Sequence, residues 1–383
     1  MYRVPSKKYY VILTGSKNNA GDYLIKYRAK ELFKSLRPDR EVIDLDGWVE
    51  FDNKTLEIVN GAEALILMGG PALQKNIYPN IYPLRKNLDE IKTKISFMGI
   101  GWKSLNGSWE DTHNYPLTSK SKDLIKRVIS DDLVNSVRDH HTLSVLRRYG
   151  LEAFMTGCPA TYCLNKNTKN TYQNKIKKVG FSLGVSFLES KSLELQMKQA
   201  IQETVKLFNG ADLKVVFHHS TNPEFLKTHN ATKSHLFGHL NFIKWLNKNG
   251  IGYIDISGSA ESLIDFYTDC DIHVGYRVHA HIFMSSISKP SYLIAEDGRG
   301  KALSKVIGGV VLDAFYSAKE NLLGKLFRKV KFSDGFQVNE FLKDELMDNL
   351  RYELEHGFPM VKTSHKIIAE NYKLMENYIE NLP

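Results

Sequence analysis

Arg277, His279, Arg299 and Lys301 fall within one stretch, residues 271–301, which reads DIHVGYRVHAHIFMSSISKPSYLIAEDGRGK. Arginine grips a phosphate or carboxylate through two parallel hydrogen bonds. Histidine trades protons near neutral pH. Together these side chains suit an anionic substrate that must also gain or lose a proton. The pattern around them reads as strand, turn, helix, strand, charged loop, helix. Asp271 to Val274 is a short strand that Gly275 ends. Tyr276 to His279 form the turn and first helical turn, and Ala280 to Ser286 continue it, with Ile282, Phe283 and Ile287 inward. Pro290 restarts an extended run, Ser291 to Ala295, and 296–301 is expected as a flexible loop before another helix. Two consecutive strands thus deliver cationic or protonatable groups to their carboxyl ends. Open α/β sheets bind ligands there, and helix amino termini there favour anions. Arg277, Arg299, Lys301 and Gly275 are therefore expected on an anionic donor, with His279 beside them, across a cleft. Plainer roles remain open. His279 can cap or pack its helical turn, Arg277 can pair with Asp271 or Glu296, and Arg299 and Lys301 can be solvated loop charges.

The rest of the chain must position that stretch. Tyr9–Thr14 is a continuous apolar run, as in a strand buried on both faces. A turn-rich loop follows, and Gly21-Asp22 opens a helix that Asp22 can cap, unless it reaches into a cleft. Strands follow at 41–45 and 64–68, the latter running into Gly69-Gly70, a pair that lets a ligand approach the backbone. Another strand spans 95–100, and 102–120 reads as a long polar surface loop. A strand at 134–137 leads to Arg138-Asp139, read as a helix-start ion pair, and to a helix at 140–149. After the polar, basic segment 166–178 the alternation resumes. Strands are expected near 179–183, 213–218 and 253–255, and helices near 193–208, 237–249 and 260–267. Beyond Gly309 the pattern is helical, ending in an amphipathic helix over 363–378.

Strands alternating with helices imply parallel, doubly wound sheets. The expected fold is α/β, two Rossmann-like domains facing a cleft, of glycosyltransferase-B type. The expected division is 1–165 (acceptor side), a linker 166–178, 179–330 (donor side), and C-terminal helices 331–383 that cross back to the first domain.

The chain has 383 residues, 42% of them hydrophobic and 25% charged, ordinary for a globular protein. Its three cysteines form no even framework, as expected in a reducing compartment. Five histidines at 218, 219, 229, 235 and 239 match no zinc spacing, so no metal is expected. There is no P-loop and no dinucleotide fingerprint. A net charge of +9 favours anionic partners. No apolar run approaches the roughly 20 residues that span a bilayer. The opening residues run straight into a strand without a signal-peptide core. The expected location is the cytoplasm, with the basic face a candidate for peripheral contact with the inner membrane.

Several segments, in order, resemble the polysaccharide pyruvyl transferase family. They are Asn19-Ala20-Gly21-Asp22, Gly69-Gly70, Gly99-Ile100-Gly101, Ser136-Val137-Arg138-Asp139 with Leu146 and Gly150, and Gly157-Cys158-Pro159. The last is Asp271 with Arg277-Val278-His279, followed by Pro290 and a basic residue after the next strand. The resemblance implies phosphoenolpyruvate as co-substrate and a sugar of a cell-surface polysaccharide, or of its lipid-linked precursor, as acceptor. It implies a ketal as product, no cofactor and no nucleic-acid partner. It puts Arg277 and His279 on the donor, His279 as acid/base. Asp22 orients or deprotonates the acceptor hydroxyl, and Gly21, Gly69, Gly70 and Arg138 line the acceptor side or cleft. Two departures stand out: Val278 replaces the usual leucine, and the strand Gly180-Phe181-Ser182-Leu183-Gly184 carries glycine where an arginine would help hold the donor. Arg299 or Lys301 can take that place. The alternative is a glycosyltransferase of the same superfamily using a nucleotide sugar. A non-enzymatic basic module for anionic polymers is a third reading, but mere charge needs no histidine at a strand end.

Overall fold

Buried apolar runs become parallel strands in this protein. The computed structural model describes residues 7–14, 19–164, 176–225, 233–318 and 335–383. These fall into two units. The first comprises 7–14, 22–164 and 366–383, and the second 19–21, 176–225, 233–318 and 335–365.

In the first unit β1 (Tyr9–Thr14) is buried along its whole length, as a strand covered on both faces must be. After it come α1 (Ala20–Leu36), whose first two residues group with the second unit, then β2 (Glu41–Asp46), α2 (Asn53–Asn60), β3 (Ala64–Met68) and β4 (Ile95–Met98). The four strands form a parallel sheet of order β2-β1-β3-β4. Then follow α3 (Trp109–His113), α4 (Ser119–Asp131), β5 (Ser136–Val137), α5 (His140–Arg147) and β6 (Phe154–Met155). The β5–β6 pair is parallel, and a bridge from Ile100 to Val137 extends the ladder beyond β4. Residues 102–120 are not the surface loop that their polarity suggests. Trp102 is wholly buried, and α3 lies within the segment. Aromatic burial overrides the polar composition around it.

The second unit is a six-stranded parallel sheet of order β12-β11-β10-β7-β8-β9. Its elements run β7 (Lys178–Ser182), α6 (Lys191–Leu207), β8 (Asp212–Phe217), α7 (Lys233–Lys248), β9 (Gly252–Asp255) and α8 (Ala260–Asp269). Next come β10 (Ile272–Gly275), α9 (Val278–Ser286), β11 (Ser291–Ala295), α10 (Gly298–Leu303) and β12 (Val310–Asp313). The order reverses direction beside β7, so β7 and β10, the central strands, meet the rule for ligand binding in such sheets. Beyond Gly309 the chain is not simply helical. It adds the edge strand β12 and a hairpin of β13 (Phe315–Ala318) and β14 (Phe336–Val338), before α11 (Leu342–Glu355) and α12 (Pro359–Glu380).

Of the C-terminal helices expected to cross back, only residues 366–383, the greater part of α12, group with the first unit, whereas α11 and the start of α12 group with the second. The Tyr378 hydroxyl lies 2.9 Å from Ser96 Oγ, and the Tyr372 ring meets Tyr162 edge-on at 5.4 Å. Most of the expected linker, 166–175, lies outside the described residues.

Candidate active site

Strand β10 pairs in parallel with β7 on one side and β11 on the other, so all three end on the same edge of the sheet. Helices α9 and α10 both begin there. Gly275 ends β10 with φ +133°, and an added Cβ would lie 2.4–2.7 Å from Ser182 atoms. Only glycine fits there, so the residue permits the turn that presents Arg277.

Arg277 is the N-cap of α9. Its amide donates to Ser182 Oγ (2.9 Å) and its Nε donates to the Leu183 carbonyl (2.7 Å). Neither Nη group has a hydrogen-bond partner among the described residues. Burial pulls its pKa down while the Glu296 carboxylate opposes that, and an arginine remains charged. Asp271 is not its partner. That carboxylate accepts from the amides of Lys177 and Lys178.

Glu296, at the end of β11, is buried, and burial raises its pKa against the pull of Arg277. Its carboxylate accepts from the amides of Val185 (2.9 Å) and Ser186 (3.0 Å). It also occupies the space beside Gly184, where an added Cβ would lie 2.3 Å from Glu296 Oε2 and 2.9 Å from Tyr276 Cβ. At Gly180 an added Cβ would meet Phe266, Cys270 and Tyr267 at 3.0–3.2 Å. No arginine can leave either glycine of that strand without displacing these groups.

The 296–301 segment is helical from Gly298, not a loop. Asp297 caps α10 through Oδ1 to the Arg299 amide (2.9 Å), while Oδ2 accepts from Arg299 Nε (2.8 Å) and Nη2 (2.5 Å). Burial alone would raise the Asp297 pKa, but Arg299 and these bonds hold it below the usual range. Lys301 is turned elsewhere. Its Nζ donates to the Phe315 carbonyl (3.0 Å), pairs with Asp313 (3.5 Å) and lies over the Phe315 ring. It ties α10 to the strands that follow, so its contacts lend no support to the donor role expected of Lys301.

An opening of about 430 Å³, counted to its solvent mouth, is lined by Asn19, His218, Tyr276, Arg277, His279 and Arg299 among others. Every lining residue belongs to the second unit. His279 is half-buried on the first turn of α9. Its ring lies flush against Gly21, where an added Cβ would come 2.1 Å from Nδ1. Asn19, rather than Asp22, caps α1: its Oδ1 accepts from the Gly21 amide (3.0 Å). His218 Nε2 lies 2.8 Å from the Tyr267 hydroxyl. Burial, then Arg277, His273 and His279, keep the His218 pKa well below its ordinary value, so it is neutral at pH 7.

The Ser182 oxygen that accepts the Arg277 amide also lies 2.8 Å from His273 Nε2. His273 Nδ1 is 2.7 Å from Ser291 Oγ, which is 2.8 Å from His281 Nδ1. Burial lowers the pKa of both histidines, to about 4 for His281, so both rings are neutral. With both rings neutral the chain Ser182–His273–Ser291–His281 can run in either donor direction, each hydroxyl accepting from one neighbour and donating to the next. Ser182→Ala removes the acceptor from the Arg277 amide and the hydrogen-bond partner from a buried imidazole, a cost of about 1–3 kcal/mol. The expected result is a lower melting temperature and roughly tenfold weaker donor binding, as the Arg277 turn loosens. An unchanged donor KM would show that the turn holds without the hydroxyl.

The first unit carries the remaining expected residues. Asp22 is half-buried on the first turn of α1, and a Cβ on Gly70 would sit 3.4 Å from its Oδ1. Gly69 and Gly70 both have positive φ, +55° and +63°. Arg138 is 1% exposed, packed against Gly101 with its guanidinium where a Cβ would stand. The expected ion pair is loose: Nε is 4.0 Å from Asp139 Oδ2, because Asp139 Oδ1 caps α5 through the Thr142 amide (2.7 Å). Neither Nη of Arg138 has a hydrogen-bond partner among the described residues. No group of three or more metal-ligating side chains occurs among the described residues, and His229 lies outside them.

Sequence reading missed Ser182, His218, Tyr276 and Glu296. Ser182, His218 and Glu296 lie at or just past the ends of β7, β8 and β11. The same strand-end rule that selected Arg277 points to them once the sheet order is known.

Parallel sheets with an arginine and a histidine at the central strand ends are the frame of an α/β group-transfer enzyme. Residues 19–298 match the family described as polysaccharide pyruvyl transferase, and the chain belongs to that family of transferases. No curated protein matches it in sequence. Among solved structures it is similar to the UDP-GlcNAc 2-epimerase of Neisseria meningitidis bound to UDP-GlcNAc. That match has 8% identity and a TM-score of 0.49, and covers 97% of this chain and 100% of that one. It is also similar to the UDP-GlcNAc 2-epimerase of Methanocaldococcus jannaschii in complex with UDP-GlcNAc and UDP. There the identity is 12% and the TM-score 0.44, with 90% and 99% of the two chains covered.

Proposed function

We propose that the protein transfers pyruvate from phosphoenolpyruvate to two hydroxyls of one sugar in a cell-surface polysaccharide or its lipid-linked precursor. The product is a cyclic ketal and the by-product is inorganic phosphate. The observation that carries this reading is the opening where Arg277 and His279 meet at the end of β10.

The donor carries a phosphate and a carboxylate. Arg277 offers two Nη groups held by a fixed Nε, and the amino termini of α9 and α10 add partial positive charge. Arg299, steadied by Asp297, flanks the same opening. His279 gives a proton to the methylene carbon as the first sugar hydroxyl adds to C2. Loss of the C2–O bond expels phosphate, and the second hydroxyl closes the ketal and releases its proton. Asp22 is the candidate that orients or deprotonates an acceptor hydroxyl. A buried guanidinium such as Arg138 is costly without an anionic or polar partner, which supports its place on the substrate side. The scheme calls on no metal or organic cofactor. In this reading the enzyme works in the cytoplasm, and its basic charge is available to the anionic inner leaflet. No helix of the described residues is long and apolar enough to cross a membrane.

Incubation with isotope-labelled phosphoenolpyruvate and glycan acceptor is expected to move label from the pyruvyl carbons into the glycan and release phosphate stoichiometrically. Transfer from a nucleotide sugar, with none from phosphoenolpyruvate, would sink the reading.

A further inference from the structure

Trp109 opens α3 and keeps 44% of its surface exposed. Its position is nonetheless fixed from behind. The His141 ring lies 4.3 Å from it, tilted by 36°. That imidazole is stacked on the wholly buried Trp102, at 4.6 Å and 9°. Thr112 Oγ1, one turn along α3, is 2.8 Å from His141 Nδ1 and sets the ring's rotation. An exposed indole on a rigid stack loses little entropy when a flat ligand settles on it.

The indole borders a shallow depression lined also by His140, Leu143, Ser144, Arg147 and Arg148. The two arginines are already engaged. Arg147 Nε donates to Glu152 (2.9 Å), and Arg148 Nη1 donates to the Thr112 (3.3 Å) and His113 carbonyls. Arg147 is paired with a carboxylate and Arg148 spends Nη1 on two carbonyls, so neither guanidinium stands wholly open to a phosphate. The depression offers an apolar ring face with hydroxyl, imidazole and guanidinium groups around it. A neutral pyranose ring has the matching chemistry: one face of C–H groups and an edge of hydroxyls.

We propose that the exposed face of Trp109 is a docking platform for a neutral sugar ring of the glycan chain. This rests on the polysaccharide acceptor proposed above.

The test is direct binding of short neutral gluco-, galacto- and manno-oligosaccharides to the full-length protein by ligand-observed NMR, without donor. Trp109→Ala is expected to weaken binding roughly tenfold, the size of a central aromatic contact. Trp109→Phe retains most of the affinity, and thermal melting checks that both variants fold. Equal affinity of Trp109→Ala and the unaltered protein overturns the platform, and so does absence of binding to every neutral oligosaccharide. Binding that depends on Trp109, with no transfer from phosphoenolpyruvate, keeps the platform and removes the pyruvyl reading.

Discussion

Arg277→Ala is expected to lower kcat/KM for the donor by about 10²–10³-fold, mostly through KM. Truncating one partner of a desolvated, hydrogen-bonded charge pair costs about 2–5 kcal/mol, and each 1.4 kcal/mol is a factor of ten. Arg277→Lys should recover little. The Nε bond to Leu183 fixes the plane of the guanidinium, and lysine can neither make it nor present a two-pronged donor. A consequence inside the site separates this from simple unfolding. Arg277 draws the raised pKa of Glu296 down, while the Val185 and Ser186 amides also hold that carboxylate. Without the arginine, Glu296 takes up a proton more readily and keeps its amide partners. The fold should therefore survive, as thermal melting would show, and the double variant Arg277→Ala/Glu296→Gln should melt no lower than the single one. Near-normal donor KM in a folded Arg277→Ala protein would remove the anion clamp from the mechanism.

Local pattern revealed the centre of this site because it depends on short-range signals. A strand ending in glycine, followed by arginine, histidine and an apolar helix, needs no distant partner to be read. The alternation of strands and helices likewise foretold parallel sheets and a last helix that returns to the first unit. What the sequence could not show depends on which strands lie side by side. Lys301 and Arg299 look equivalent in the chain. Yet one helix turns them apart, Arg299 onto Asp297 beside the opening and Lys301 onto Asp313 and the Phe315 carbonyl. The 180–184 strand read as one that had lost an arginine to glycine, but its Gly184 is the clearance for Glu296, more than a hundred residues away in sequence. The polar run at 102–120 concealed a buried tryptophan, because composition averages over the one residue whose burial decides the segment. Asp22 looked like a helix cap until Asn19 was seen in that role.

His279→Ala is expected to reduce kcat by about 10²–10⁴-fold with donor KM little changed, the range for a lost general acid or base. An alanine there removes proton transfer and leaves the arginine clamp. Gly21 offers an independent way to reach the same group. Its φ is not in the left-handed region, so alanine is compatible with its helical backbone. Yet the new methyl would stand 2.1 Å from His279 Nδ1 and 2.5 Å from Cγ. The imidazole must swing away, and because His279 Cβ would also lie 2.8 Å from the methyl, the two helix starts must part slightly as well. Gly21→Ala should therefore reproduce much of the His279→Ala defect while the histidine is still present. The double variant should be no slower than His279→Ala alone, because contacting residues acting through one group are not additive. If the two losses instead multiplied, Gly21 would act on substrate by itself and the imidazole would not be the shared cause. Retained turnover in His279→Ala would remove the proton donor from the proposed ketal chemistry and leave C2 activation to Arg277 and the helix termini.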